Sequence, residues 1–510
     1  MESSLASLRT WRDRIDWASL VVSVPLIILG WLLLAETDRR VVFALAVFTG
    51  LLIGYLIWSY VVVRYTRRLQ GLFTFPHLVV ALVGCGITTA WLGWLPTTAA
   101  GLVHFLALFL VLTSLWFMFP LATIHTTTSH TAFDADEQLP TISVIVPAYN
   151  EVGYIRRTVS AILNASYPAE KVEVVVVDDG STDDTLSEAL SISDERVQTV
   201  HKENGGKYSA LNYGLLFASG DVVVCVDADS VIADSALKAA VSPLLADQSI
   251  GAVAGRVKIE NGGSLILALQ RLEYIVGLNV YRRVLDSFGT VPIVPGCLGA
   301  FRREAIEDVA GYDPETLTED FDLTVKLLRA GWSVRTSEAT VYTEAPDTWY
   351  DLYLQRMRWY RGNVMTLLKH WRVALDHRYG YLHRISYPMQ VVEMFVLPLA
   401  SWIILGVLVQ RLLAGDVVRT VAMFAVYTSV VLAISVFAVS VERDDLSLSA
   451  LSPLFVIGYK HFHDLLVFKS ILEVCLRRDL DWTGPRRILN REQTDSVPEE
   501  HSSAETRSVD

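Results

Sequence analysis

The sequence predicts an α/β fold: a mostly parallel sheet domain inserted between transmembrane α-helices. Three observations carry this. Short β-branched runs alternate with helical stretches from residue 141 to about 376. Apolar segments long enough to cross a bilayer flank that region on both sides, and acidic residues stand at the ends of its apolar runs. Of 510 residues 52% are hydrophobic and only 19% are charged, and the mean hydropathy is +0.38. That exceeds what a soluble domain of this length needs, so the surplus must face lipid.

Crossing ~30 Å of hydrocarbon takes about 20 apolar residues, and four such runs precede residue 140, at 17–35, 41–63, 76–95 and 99–119. The first is too long for a signal peptide, and no convincing small-residue cleavage site precedes the second, so it is expected to stay in the membrane. Arg9, Arg12 and Arg14 precede the first run, and Arg64, Arg67 and Arg68 follow the second, which puts the amino terminus in the cytoplasm. Four crossings return the chain to the cytoplasm near residue 125. The expected organisation is four transmembrane helices in 1–125, a cytoplasmic catalytic domain in 126–376, two to three transmembrane or interfacial helices in 377–480, and a disordered tail in 481–510. The expectation is a multi-pass protein of the cell membrane with that central domain in the cytoplasm.

The carboxyl-terminal helices need individual justification. Runs 388–409 and 417–441 read as further spans. Run 451–476 is long enough but carries Lys460, His461, His463, Asp464, Lys469 and Glu473. Such a helix lies in the interface, lines a protein pore, or packs its polar side against the catalytic domain.

Within the catalytic region, strands are expected at 142–147, 172–177, 197–201, 222–227 and 252–259, and helices at 153–164, 183–190, 207–219 and 234–245. The repeated βα order predicts an open sheet with helices on both faces, and ligands at the carboxyl ends of the strands. The net charge of −12 argues against nucleic acid as a partner, because phosphodiester binding needs clustered Lys and Arg. The four cysteines have no spacing that would suit a zinc site or a disulfide framework.

The acids sit where ligands are expected. Asp178 and Asp179 end one apolar run and precede Gly180, Ser181, Thr182 and Asp183, a turn leading into a helix. A carboxylate there can accept hydrogen bonds from a ribose or base, or it can serve the turn alone. Asp227 and Asp229 end another run one residue apart, a spacing at which both can reach one hard divalent cation; Mg2+ or Mn2+ suits such oxygen ligation better than zinc. Asp320 opens a helical stretch at 317–328 that ends at Gly331. It can take a proton from a sugar hydroxyl, or it can be a helix cap with Thr318, Glu319 and Asp322 as solvated first-turn acids. Gln355, Arg358 and Trp359 share a face of a helix at 350–368. Arg358 can bind diphosphate oxygens and Trp359 can stack on a sugar ring, while Trp349, Tyr350, Tyr353 and Tyr360 also suit a helix resting on a membrane.

These motifs, in this order, resemble those of the family 2 inverting glycosyltransferases: Ile142 to Glu151, Asp178 to Ser181, Gly205, Gly206 and Lys207 with Ala210, Leu211 and Asn212, Asp227 to Asp229, Thr318 to Asp320, and Gln355 with Arg358 and Trp359. The chain is similar in particular to their processive membrane branch, which includes the poly-N-acetylglucosamine, hyaluronan and cellulose synthases. The resemblance implies a GT-A-like fold and transfer of a sugar from a UDP-sugar, foremost UDP-N-acetylglucosamine, to a growing glycan at the bilayer. A non-processive transfer to a lipid-linked acceptor is the alternative, and an inactive carbohydrate-binding scaffold is a third.

Residue by residue, the resemblance implies that Pro147, Ala148, Asn150, Glu151 and Asp179 line the uridine pocket and that Lys207 approaches the nucleotide. It implies that Asp227 faces the sugar diphosphate, that Asp229 ligates Mg2+ or Mn2+, and that Asp320 is the general base. Gln355, Arg358 and Trp359 would bind substrate. Segment 296–303 resembles the family's stretch beside the acceptor end; its Cys297 is expected to pack rather than react.

Overall fold

The computed structural model describes residues 138–415 and 417–476. The four runs expected to span the membrane before residue 125, and the tail expected at 481–510, lie outside the described residues.

Eight strands form one sheet in the order β3-β2-β1-β4-β7-β6-β8-β5. They are β1 Ile142–Ala148, β2 Val172–Asp178, β3 Val197–His201, β4 Val222–Cys225, β5 Ser230–Ile232, β6 Ile250–Ile259, β7 Gly299–Arg302 and β8 Ser333–Thr343. The half β3-β2-β1-β4 is parallel throughout. The β-branched runs of β1, β2 and β4 are buried on both faces, as a parallel sheet requires, while β3, at the sheet edge, is not. Val144 and Val146 of β1 share one core with Ile155, Val159 and Ile162, whereas Ile145 faces the other way, toward Ala210 and Leu211.

The other half is mixed. β7 runs antiparallel to both β4 and β6, β5 antiparallel to β8, and β6 parallel to β8. The sequence reading has no β5, β7 or β8, for a physical reason. β5 and β7 are three and four residues long. Along the eleven residues of β8 only Val334, Ala339 and Val341 are buried, so no apolar run marks it.

The helices are α1 Ile155–Leu163, α2 Thr185–Leu190, α3 Lys207–Leu215, α4 Ala236–Ala246, α5 Leu265–Glu273, α6 Tyr281–Asp286, α7 Arg303–Asp308, α8 Glu319–Ala330 and α9 Trp349–Lys369. A π-helical turn, Tyr274–Val280, joins α5 to α6. α8 ends on Gly331 at φ 99, the left-handed cap that its glycine signals.

Beyond the sheet lie α10 Leu382–Leu413, α11 Val417–Glu442, α12 Ser452–Val456 and α13 Tyr459–Cys475. Among the described residues, one helix, α10, is long and apolar enough to cross a membrane. The run at 417–441 falls on α11. The run at 451–476 is two helices, divided at Gly458, whose φ of 109 breaks the helical course. The polar side of α13 packs on α5 and α9. Tyr459 Oη donates to Glu273 Oε2 at 2.5 Å, Tyr360 Oη bonds His463 Nδ1 at 2.7 Å, and Arg361 pairs with Glu473 at 2.6 Å.

Candidate active site

The carboxyl ends of β1 and β2 lie side by side, with Ala148 in register with Asp178. Asp179 N donates to Ala148 O at 2.9 Å, which joins Pro147, Ala148, Asn150, Glu151 and Asp179 into one rim. Asn150 has φ 56, a conformation asparagine tolerates through local hydrogen bonds. Its Oδ1 accepts from Thr182 N at 2.8 Å and its own N–H donates to Ser181 Oγ at 3.0 Å. Glu151 N donates to Thr185 Oγ1 at 2.8 Å.

Asp179 is buried and does more than serve its own turn. It accepts from Lys202 Nζ at 2.7 Å, Gly205 N at 3.1 Å and Gly206 N at 2.8 Å. Gly206 at φ 83 then starts α3, so this carboxylate fixes where Lys207 begins its helix.

Lys207 is the hub. Its Nζ lies 2.6 Å from Asp227 Oδ1 and 3.3 Å from Glu319 Oε1, and its charge also acts on Asp320. Burial alone would lower the ammonium, but Asp227, Glu319 and Asp320 hold it well above its ordinary value, so it stays charged. Acids from the end of β4 and the start of α8, about ninety residues apart in sequence, thus meet over one cation. Space for the amine comes from Gly296, where a Cβ would sit 2.5 Å from Lys207 Nζ.

Asp320 is partly buried in the first turn of α8, with Phe321 N donating to its Oδ1 at 2.8 Å. Its carboxyl is pushed up to about 6 by burial first and Glu319 second, while Lys207 pulls the other way. A carboxylate with that value suits proton removal near neutral pH. The solvated-cap alternative for this turn does not hold for its neighbours. Glu319 is buried against Lys207, and Asp322, fully buried, accepts from His370 Nε2 at 2.8 Å and Lys369 Nζ at 2.9 Å.

On α9, Gln355 is buried and Arg358 and Trp359 are half-buried. Arg356, given no role from sequence, is the most buried of this group. Its Nη2 pairs with Glu273 at 2.9 Å, its Nη1 donates to Gln355 Oε1, and its guanidinium lies 4.2 Å from the Trp359 ring centroid. Tyr274, in the π-helical turn, has its ring 6.4 Å from that of Trp359. α9 also bears on the start of α8: a Cβ on Gly362 would sit 2.6 Å from Thr318 Oγ1 and 2.8 Å from Thr318 N. Cys297 is half-buried within electrostatic reach of Asp227, Arg282, Lys207 and Asp229, and burial pushes its thiol up to about 12, so it stays protonated. It packs, as expected.

The donor set fits a metal of one kind. Asp227 and Asp229 flank the turn after β4, and among the described residues no third His, Cys, Asp or Glu joins them as a metal-holding group. Two carboxylates suit Mg2+ or Mn2+, which completes its shell from phosphates and water, and do not suit a zinc cage. Charge leads to the same requirement. Asp227, Glu319 and Asp320 face Lys207, an acidic excess that a diphosphate cannot approach without a compensating cation.

Residues 140–362 match the family described as Glycosyltransferase like family 2. The chain is 32% identical over 241 residues to a probable glycosyltransferase, YdaM, of Bacillus subtilis, covering 46% of this chain and 57% of that protein. It is 30% identical over 268 residues to a poly-beta-1,6-N-acetyl-D-glucosamine synthase of Staphylococcus aureus, covering 52% and 64%. The chain thus spans less than two thirds of the length of these curated relatives. Among solved structures, a mannosyltransferase of Pyrobaculum calidifontis in complex with GDP-Man and Mn2+ is 23% identical, with a TM-score of 0.49 over 73% of this chain and 99% of that one, a likeness too distant to bear on the site.

Proposed function

We propose that residues 140–362, a glycosyltransferase family 2 domain, transfer a sugar from a UDP-sugar to a growing polysaccharide with inversion at the anomeric carbon. The observation that carries this reading is Lys207, which draws Asp227 of the Asp227-Ala228-Asp229 turn together with Glu319 and Asp320 of α8. A base for the acceptor and a carboxylate pair for the leaving group are what a single in-line displacement requires.

In that reaction Asp320 takes the proton of the acceptor hydroxyl as its oxygen bonds the anomeric carbon. The carbon–oxygen bond to the diphosphate breaks, and its electron pair leaves with UDP. Asp229 would hold Mg2+ or Mn2+, with Asp227 beside it, and the ion when bound offsets charge on the departing diphosphate. Lys207 keeps Asp227 and Asp320 in register and contributes positive charge on the leaving-group side. Pro147, Ala148, Asn150, Glu151 and Asp179 receive the uridine, while Gln355, Arg358 and Trp359 bind substrate, Arg358 at the diphosphate oxygens and Trp359 as a platform for a sugar ring.

UDP-N-acetylglucosamine is the donor we favour, on the likeness to a poly-beta-1,6-N-acetyl-D-glucosamine synthase. We also propose that the protein is a multi-pass component of the cell membrane, that synthesis is processive and coupled to secretion, and that the catalytic domain is cytoplasmic. The apolar α10 and the apolar runs before residue 125 support this.

The test is UDP release by the purified full-length chain given a panel of UDP-sugars with Mg2+ or Mn2+, followed by product sizing. A ladder supports polymerisation, and one lipid-linked product supports transfer to a carrier instead. No UDP from any donor overturns the transferase reading.

A further inference from the structure

Two consecutive arginines on α6 have opposite fates. Arg283 is fully engaged: it pairs with Glu338 at 2.8 Å and with Glu442 of α11 at 3.0 Å. Arg282 is equally buried, at 5% exposure, yet among the described residues it makes no ion pair or hydrogen bond, and its Nη1 is buried without a partner. A guanidinium in that condition is costly to the fold, because desolvation is not repaid by an anion. The groups that act on its charge are Cys297, Asp320 and Tyr274, and burial pushes the guanidinium below its ordinary value.

These three neighbours define where Arg282 stands. Asp320 is the proposed base. Cys297 belongs to the segment between Gly296, which makes room for Lys207, and β7. Tyr274 neighbours Trp359. Lys207 already pairs with Asp227, whereas the carboxylate that acts on Arg282 is Asp320, the group an acceptor hydroxyl would have to face. Arg282 follows closely on the π-helical turn Tyr274–Val280 that joins α5 to α6, a distortion that recurs at functional sites.

We propose that Arg282 is an acceptor-binding residue, whose unpartnered Nη1 donates to an oxygen of the terminal acceptor sugar beside the hydroxyl that Asp320 deprotonates. This rests on the transferase reading above. It explains why a buried cation is left without a protein anion: its partner arrives with the substrate. The charge-assisted bond orients the nucleophile toward the anomeric carbon without taking part in the proton transfer.

The test uses the full-length chain with UDP-N-acetylglucosamine as donor and a short N-acetylglucosamine oligosaccharide as acceptor, and compares wild type with Arg282→Gln and Arg282→Met. The expected result is an acceptor KM raised about tenfold or more, with the donor KM shifted by less than about twofold. Arg282→Met is expected to melt at or above the wild-type temperature, because an unpaired buried charge has been replaced by an apolar chain of similar reach. An unchanged acceptor KM in a folded Arg282→Gln overturns the proposal, as does a lower melting temperature in Arg282→Met with the acceptor KM unmoved, which would mark a structural arginine. If wild type releases no UDP with any donor, the transferase reading itself fails; if it does and only the acceptor KM fails to move, the fault lies with Arg282 alone.

Discussion

Lys207 Nζ lies 2.6 Å from Asp227 Oδ1 and so ties the first residue of α3 to the turn that ends β4. The same amine reaches Glu319 at 3.3 Å. Lys207→Gln leaves Glu319 buried without its cation and lets Asp227 drift from the diphosphate side. The expected outcome is a turnover reduced about a hundredfold, with stability lowered by about 1–3 kcal/mol once partial exposure of the pair is allowed for. UDP release and thermal melting read the two effects separately.

Asp320 sets a pH dependence whose sign can be worked out. Its folded carboxyl lies at about 6, raised from the ordinary carboxylate value. Transfer needs the ionised form, so kcat/KM rises with pH through about 6 and then levels. A raised folded value also means that the stability contribution is full at acid pH and is lost as pH rises through about 6. Activity and melting temperature therefore move in opposite directions across the same window, which rate and melting profiles from pH 5 to 8 check.

Two glycines separate catalytic placement from packing. Gly362→Ala puts a Cβ 2.6 Å from Thr318 Oγ1 and 2.8 Å from its backbone nitrogen, and backbone cannot swing aside. It is expected to cost about 1–3 kcal/mol and to reduce turnover by displacing the start of α8. Gly296→Ala meets only the tip of Lys207, at 2.5 Å. It is expected to lower turnover by moving the amine off Asp227 while changing the melting temperature little. Parallel melts and UDP-release rates distinguish them.

Arg356 is fully buried between Glu273 and the Trp359 ring. Burial alone would raise the Glu273 carboxyl, and the guanidinium facing it holds it below its ordinary value. Arg356→Met should destabilise by about 3–5 kcal/mol, because it strands that carboxylate, and Glu273→Gln in the same chain should recover part of the loss. Chemical denaturation of the two single variants and the double variant measures the coupling.

The parallel half of the sheet was legible because burial on both faces writes continuous Val and Ile runs, as in Val174 to Val177. Asp179, Asp227 and Asp320 were legible because acids at the ends of such runs or at a helix start stand out against apolar surroundings. β7 and β8 were not, since a four-residue strand and a half-exposed one leave no period to read. Nor could the sequence foretell that Glu319 faces Lys207 rather than water, since a first-turn acid satisfies the helix dipole either way. Arg282 and Arg356 escaped for a related reason: a buried arginine is written with the same letter as a solvated one, and only tertiary placement separates them.

The central claim is that Asp320 removes the acceptor proton within a site that binds the donor independently of it. Turnover and donor binding measured together in Asp320→Asn test it most directly, with UDP release and calorimetric titration of the UDP-sugar in the presence of Mn2+. The account predicts binding within about twofold of wild type and turnover lower by about a hundredfold or more. An Asp320→Asn chain that binds donor and releases UDP at the wild-type rate would contradict it.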